Sequence, residues 1–124
     1  MEKKNIDWSS IGFAYMPTDY RYVSNFKDGK WDEGTLSTDP NIVLNECAGV
    51  LQYSQSVFEG LKAYTTEDGH IVTFRPDLNA ERMAASAARL EMPVFPKERF
   101  IDAVEQVVKA NAAWVPPYGS GATL

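Results

Sequence analysis

The segment VFEGLKAY, Val57–Tyr64, sets a glutamate, a glycine and a lysine among β-branched and aromatic residues, where a plain core strand keeps apolar side chains. It is either a sheet element with a few solvated positions or the wall of a site. Other chemistry-bearing residues are sparse. One cysteine, Cys47, and one histidine, His70, leave no internal disulfide and no Cys/His metal set. No nucleophilic triad, glycine-rich phosphate loop or metal-ligand spacing is present, and Gly60 with Leu61-Lys62 lacks the upstream glycine of a P-loop. Cys47 reads as a small buried hydrophobe and His70, beside the Asp68-Gly69 turn, as a solvated loop residue.

The elements that would place these residues change period along the chain. An aromatic-rich stretch from Phe13 to Phe26 runs into KDGKW, where Asp28-Gly29 between strand-like flanks predicts a hairpin. NIVLN, Asn41–Asn45, reads as a further short strand. VFEGLKAY reads as a strand that turns back at Asp68-Gly69, with Ile71, Val72 and Phe74 on the return, so the middle of the chain is expected to be an antiparallel meander. Alternation puts Phe58, Gly60, Lys62 and Tyr64 on one face and Val57, Glu59, Leu61 and Ala63 on the other. A glycine at position 60 would let a backbone or ligand approach closely. Lys62 is expected to be a solvated strand residue.

Beyond Phe74 the pattern is helical. LNAERMAASAARL, Leu78–Leu90, predicts a helix with Asp77 or Asn79 as N-cap and Glu81 in its first turn, ended by Met92-Pro93. Its Ala80, Ala84, Ala87 and Ala88 form a small-residue face that would let it lie close to a sheet. A second helix from Lys97 to about Trp114 carries Phe100, Ile101, Val104, Val107 and Val108 at core-facing spacing, and Pro116-Pro117 stops it. Ala122-Thr123-Leu124 reads as the opening of another strand, so the chain looks truncated at that edge. The fold class expected is α+β, an antiparallel sheet with two flanking helices.

A length of 124 residues supports one domain, able to bury about two-thirds of its unfolded surface. With 44% hydrophobic and 23% charged residues, the composition is that of a folded soluble protein. The net charge of −5, with no run of basic residues, excludes a nucleic-acid footprint. MEKKNIDWSS lacks the apolar run of a secretory signal, and no segment approaches the ~20 apolar residues of a membrane span. A cytoplasmic protein is expected, with neither nucleic acid nor membrane as partner.

The order of motifs goes further than composition. LQYSQSVFEGLKAY, FRPDLNAERM, SAARLEMPVFPKE and WVPPYGSGATL, read together, resemble the N-terminal small domain of branched-chain-amino-acid aminotransferases, fold-type IV enzymes that use pyridoxal 5′-phosphate (PLP). The resemblance runs from about Leu51 to Leu124 and is looser over residues 1–50, where GFAYMPTDY carries it. Tyr53 followed by Phe58-Glu59-Gly60 and then by the arginine-bearing helix is its most specific part. It implies a two-domain subunit in which residues 1–124 are the small domain, incomplete at the C-terminal edge. A large C-terminal domain would supply the Schiff-base lysine and most of the phosphate cradle. It further implies a homodimer acting on leucine, isoleucine or valine and on 2-oxo acids, with the cofactor between the domains. None of the seven lysines here matches the catalytic lysine by motif, so this segment is expected to be inactive alone and to hold no catalytic residue. Because the family's proton transfers belong to that lysine, Glu59 is expected to be a structural carboxylate making hydrogen bonds.

On that resemblance Arg82, in AERM, matches the arginine placed on the PLP phosphate, a role suited to a fixed charge with parallel donors. Arg75 and Arg89 are its rivals, and the plain alternative is a solvated helix arginine paired with Glu81 or Asp77. Tyr53 and Phe58 match substrate-pocket positions, where aromatic faces hold aliphatic side chains. Phe13 would belong to the same pocket, and the plain alternative for these aromatics is core packing. Tyr53 would reach the partner protomer's site and so look exposed in an isolated chain. Two further readings stay open: a D-amino-acid aminotransferase or aminodeoxychorismate lyase of the same fold type, and a stand-alone binding module without catalysis.

Overall fold

Three antiparallel ribbons and three helices carry the chain in the computed structural model, which describes residues 1–124. Strand β1 (Arg21–Val23) pairs with β4 (Thr35–Ser37), Tyr22 standing opposite Leu36. Between them β2 (Phe26–Lys27) and β3 (Lys30–Trp31) form the expected hairpin. Asp28 and Gly29 take φ of 52° and 78°, the left-handed pair that a two-residue turn of matching twist requires. Asp32 ties the base of this unit, accepting from the Asn25 N–H at 3.0 Å and the Ser24 hydroxyl at 2.9 Å.

The expected single sheet is not formed: each ribbon has two strands and none joins another. NIVLN is no strand. Asp39 accepts from the Asn41 N–H at 2.9 Å and Asn45 accepts from the Cys47 N–H at 2.8 Å, so side-chain turns bracket the segment and compete with a ladder. Ile42, Val43 and Leu44 are left exposed. A short helix, α1 (Gly49–Tyr53), follows. VFEGLKAY pairs only from Ala63, where β5 (Ala63–Thr65) meets β6 (Ile71–Thr73) across the Asp68-Gly69 turn. No other segment lies along Val57–Lys62 to complete a ladder, because alternation fixes which way side chains face but does not supply a partner strand. The return strand stops at Thr73 and Phe74 is exposed, since Arg75 at φ 47° swings the chain into the next helix.

Helix α2 (Pro76–Arg89) therefore begins one residue before Asp77 and three before Asn79, the two expected caps, and Arg75 takes the cap position. Pro76 opens it, as a preset φ and a missing N–H allow, and Asp77 lies in its first turn while Glu81 lies beyond it. At its other end the N–H of Glu91 donates to the Ala88 carbonyl at 3.1 Å and that of Met92 to Ala87 at 2.9 Å. This is a Schellman closure with Glu91, φ 55°, where glycine is usual. Ala80 and Ala87 are buried and Ala84 partly so, whereas Ala88 is exposed. The small-residue face lies against α3 (Lys97–Ala110) rather than against a sheet.

Helix α3 also packs on β1 and continues as a 3-10 turn, Ala112–Trp114. Its predicted stripe is only half-buried at every position. The most secluded polar residue is Asn111, 2% exposed, whose amide accepts from the Tyr20 N–H at 2.9 Å and donates to the Tyr20 carbonyl at 2.8 Å. That bond pair fixes the entry to β1 against the end of α3. The N-terminal arm is laid on the same region by the Lys4 N–H, which donates to Ala113 at 2.9 Å. Ala122–Leu124 forms no strand, although the Leu124 carbonyl accepts from the Ala63 N–H at 2.9 Å. No helix is long and apolar enough to cross a membrane.

Candidate functional site

Asn79 and Arg82 are three apart on α2 and so share a face. Both reach Glu59. The Arg82 guanidinium donates Nη2–H to Oε2 at 2.7 Å and Nε–H to Oε1, a bidentate fork. Asn79 donates through Nδ2 to Glu59 Oε2 at 2.9 Å and to the Gly60 carbonyl at 3.0 Å. Glu59 is thus the structural carboxylate expected from the sequence. Its side chain is 6% exposed, against 67% for Arg82.

The inward turn of Glu59 comes from the alternation along Val57–Tyr64, which survives without a ladder. Val57, Glu59, Leu61 and Ala63 are shielded, while Phe58, Gly60, Lys62 and Tyr64 face out. The Arg82 fork, then the Asn79 amide, hold the Glu59 carboxyl well below its ordinary range, down to about 2. Arg82 is in turn pushed up by the same carboxylate. The Nη1 amino group of Arg82 makes no hydrogen bond within the chain. The arrangement can therefore present fixed N–H donors to an anion arriving from solvent.

Its two rivals are placed differently. Arg75 is occupied by Asp77, donating Nε–H to Oδ1 at 2.9 Å and Nη2–H to Oδ2 at 2.7 Å. Arg89 is exposed in the last turn of α2. Arg82 pairs with neither Glu81 nor Asp77, the partners its plain alternative named; Glu81 pairs with Lys97.

Phe58 adjoins Glu59 in the chain and is 92% exposed, and a Cβ on Gly60 would meet nothing within 4 Å, so the outer side of this segment is open. Tyr53, the last residue of α1, is 87% exposed and Phe13 fully so. None of the three aromatics, nor Arg82, lines any of the five better-formed cavities of the chain. An apolar cavity of about 500 Å³ lies elsewhere, between β1, α2 and α3, with Tyr22, Met83, Phe100 and Val104 in its walls.

Cys47 is exposed rather than buried, because the Asn45 turn that ends NIVLN carries it to the surface. His70 is solvated as expected, with Nδ1 2.8 Å from Asp68 Oδ2. Two residues escaped the sequence reading. Asn79 stood only as a possible cap, although its place three residues before Arg82 was a usable signal. Asn111 gave none, since nothing local marks a helix-end asparagine as buried.

No family model matches the chain. Curated relatives do. It is 54% identical to a branched-chain-amino-acid aminotransferase of Haemophilus influenzae, over 98% of this chain and 35% of that protein. It is 44% identical to a branched-chain-amino-acid aminotransferase of Helicobacter pylori, over 98% of this chain and 36% of the relative. A methionine aminotransferase of Arabidopsis thaliana is 46% identical over 94% of this chain and 33% of its own length. The chain spans about a third of the length of the curated relatives it matches. With identity of this order along nearly its whole length, the chain is homologous to about a third of the length of branched-chain-amino-acid aminotransferases.

Proposed function

We propose that this chain is the N-terminal small domain of a PLP-dependent, fold-type IV aminotransferase that moves the amino group between leucine, isoleucine or valine and 2-oxoglutarate. The whole enzyme is a cytoplasmic homodimer whose large domain brings the reactive lysine. The observation that carries the reading is the fork of Arg82 on the shielded Glu59, with its Nη1 donors left free and Phe58, the residue before Glu59, exposed.

These residues fit a phosphate. A guanidinium is charged at every working pH and offers parallel donors, and here its direction is set before a ligand arrives. PLP, when bound, supplies the electron sink for the transfer. The chain's own part is to anchor the phosphate through Arg82 and to wall the substrate side chain with Phe58, Tyr53 and Phe13. Aromatic faces hold methyl groups through contact area and shape. Their exposure is what a wall looks like when the opposite half of the cleft lies on other polypeptide.

The test is made on the full-length enzyme carrying this sequence. Leucine, isoleucine and valine are expected to yield glutamate from 2-oxoglutarate, and a loaded enzyme inert with all three overturns the reading. Tyr53→Ala is expected to raise KM for leucine more than for 2-oxoglutarate; an unchanged leucine KM reduces Tyr53 to packing. The relative named for methionine favours a second donor of similar apolar bulk, and methionine in the same assay decides it.

A further inference from the structure

The Glu59 carboxylate lies behind Arg82, away from solvent, and does no binding that the reading above requires. An arginine on an exposed helix face otherwise loses rotamer freedom when a ligand fixes it. Here the fork to Glu59 has already removed much of that freedom, at Nε and Nη2, the edge of the guanidinium turned from solvent. Asn79 fixes Glu59 in its turn, and by reaching the Gly60 carbonyl with the same amide it joins the segment around Phe58 to α2.

We propose that Glu59, steadied by Asn79, is a positioning residue that aims the free Nη1 edge of Arg82 at the cofactor phosphate. The proposal rests on the phosphate reading of Arg82. The rival role is a purely structural latch: Val57–Lys62 has no ladder on either side, and the ion pair would pin it to α2 whatever binds there. The two roles differ in what they predict for a ligand without a phosphate.

The full-length apo-enzyme is titrated with PLP and, separately, with pyridoxal, and binding is followed by tryptophan fluorescence. Glu59→Gln is expected to weaken PLP roughly tenfold, the scale typical of losing a partner that orients a charged ligand group, and to leave pyridoxal unchanged. Glu59→Asp should recover part of the loss, and Glu59→Gln added to Arg82→Ala should cost nothing more. Equal weakening of both ligands, or of neither, overturns the positioning role. The phosphate reading stands in that event provided Arg82→Ala weakens PLP selectively and Arg75→Ala does not. If Arg82→Ala spares PLP, the phosphate reading falls and this inference with it. Should Glu59→Gln fail to fold, Asn79→Leu replaces it: a smaller, phosphate-selective loss supports the role, and loss on both ligands or on neither removes it.

Discussion

Glu59 ties acid stability to the candidate site. Its carboxyl titrates at about 2 in the folded chain against an ordinary 4.5, because the charged form is held by Arg82 and then by Asn79. Asp77 is likewise held down to about 2 by Arg75. A folded-state value below the unfolded one means the unfolded chain binds the proton more readily in acid. The stabilisation is therefore full above about pH 4.5 and is lost as the pH falls through about 2. Thermal midpoints recorded from pH 7 down to pH 2 are expected to fall across that window, and Glu59→Gln should flatten the acid limb. A variant whose limb matches the parent's would show that other carboxylates govern it.

The elements are held at their ends more than in their middles. Helix α3 has no fully buried side chain, yet Asn111 just past it is 2% exposed and serves both backbone groups of Tyr20. Asn111→Ala would leave those groups without partners, at a cost of about 2–4 kcal/mol, read as a lower urea midpoint with an unchanged slope. Glu91 is the opposite case. An L-residue at φ 55° is strained by about 1 kcal/mol relative to glycine, so Glu91→Gly should raise the same midpoint by a comparable amount. A neutral Asn111→Ala would mean that water takes over the two bonds, and a destabilising Glu91→Gly that the glutamate has gains outside the turn.

Taken whole, the chain is under-buried. A folded monomer of 13.8 kDa exposes about 6,600 Å², whereas this one exposes 9108 Å² and fully buries seven residues. The excess, about 2,500 Å² on one chain, is on the scale of one side of a large obligate interface, and it includes Ile42, Val43, Leu51, Tyr53 and Phe58. The 124-residue chain alone should accordingly bind a hydrophobic dye and self-associate with rising concentration. It should also fail to transaminate leucine when given PLP. A dye-silent monomer would contradict the first expectation, and leucine-dependent glutamate formation the second.

Hairpins at Asp28-Gly29 and Asp68-Gly69, the two long helices and the inward turn of Glu59 were legible in the sequence. Each is decided within a few residues, by turn chemistry, by helical period or by strand alternation. The motif order likewise carried the homology, since it records residue types and spacings that need no coordinates. Tertiary structure alone decided that NIVLN and VFEG find no partner strand, that the alanine face of α2 meets a helix, and that Cys47 lies outside. It also chose Glu59, twenty-three positions away, as the partner of Arg82 rather than a neighbour on the helix. These outcomes depend on which distant segments come alongside, and local period and propensity carry no information about separations of that length.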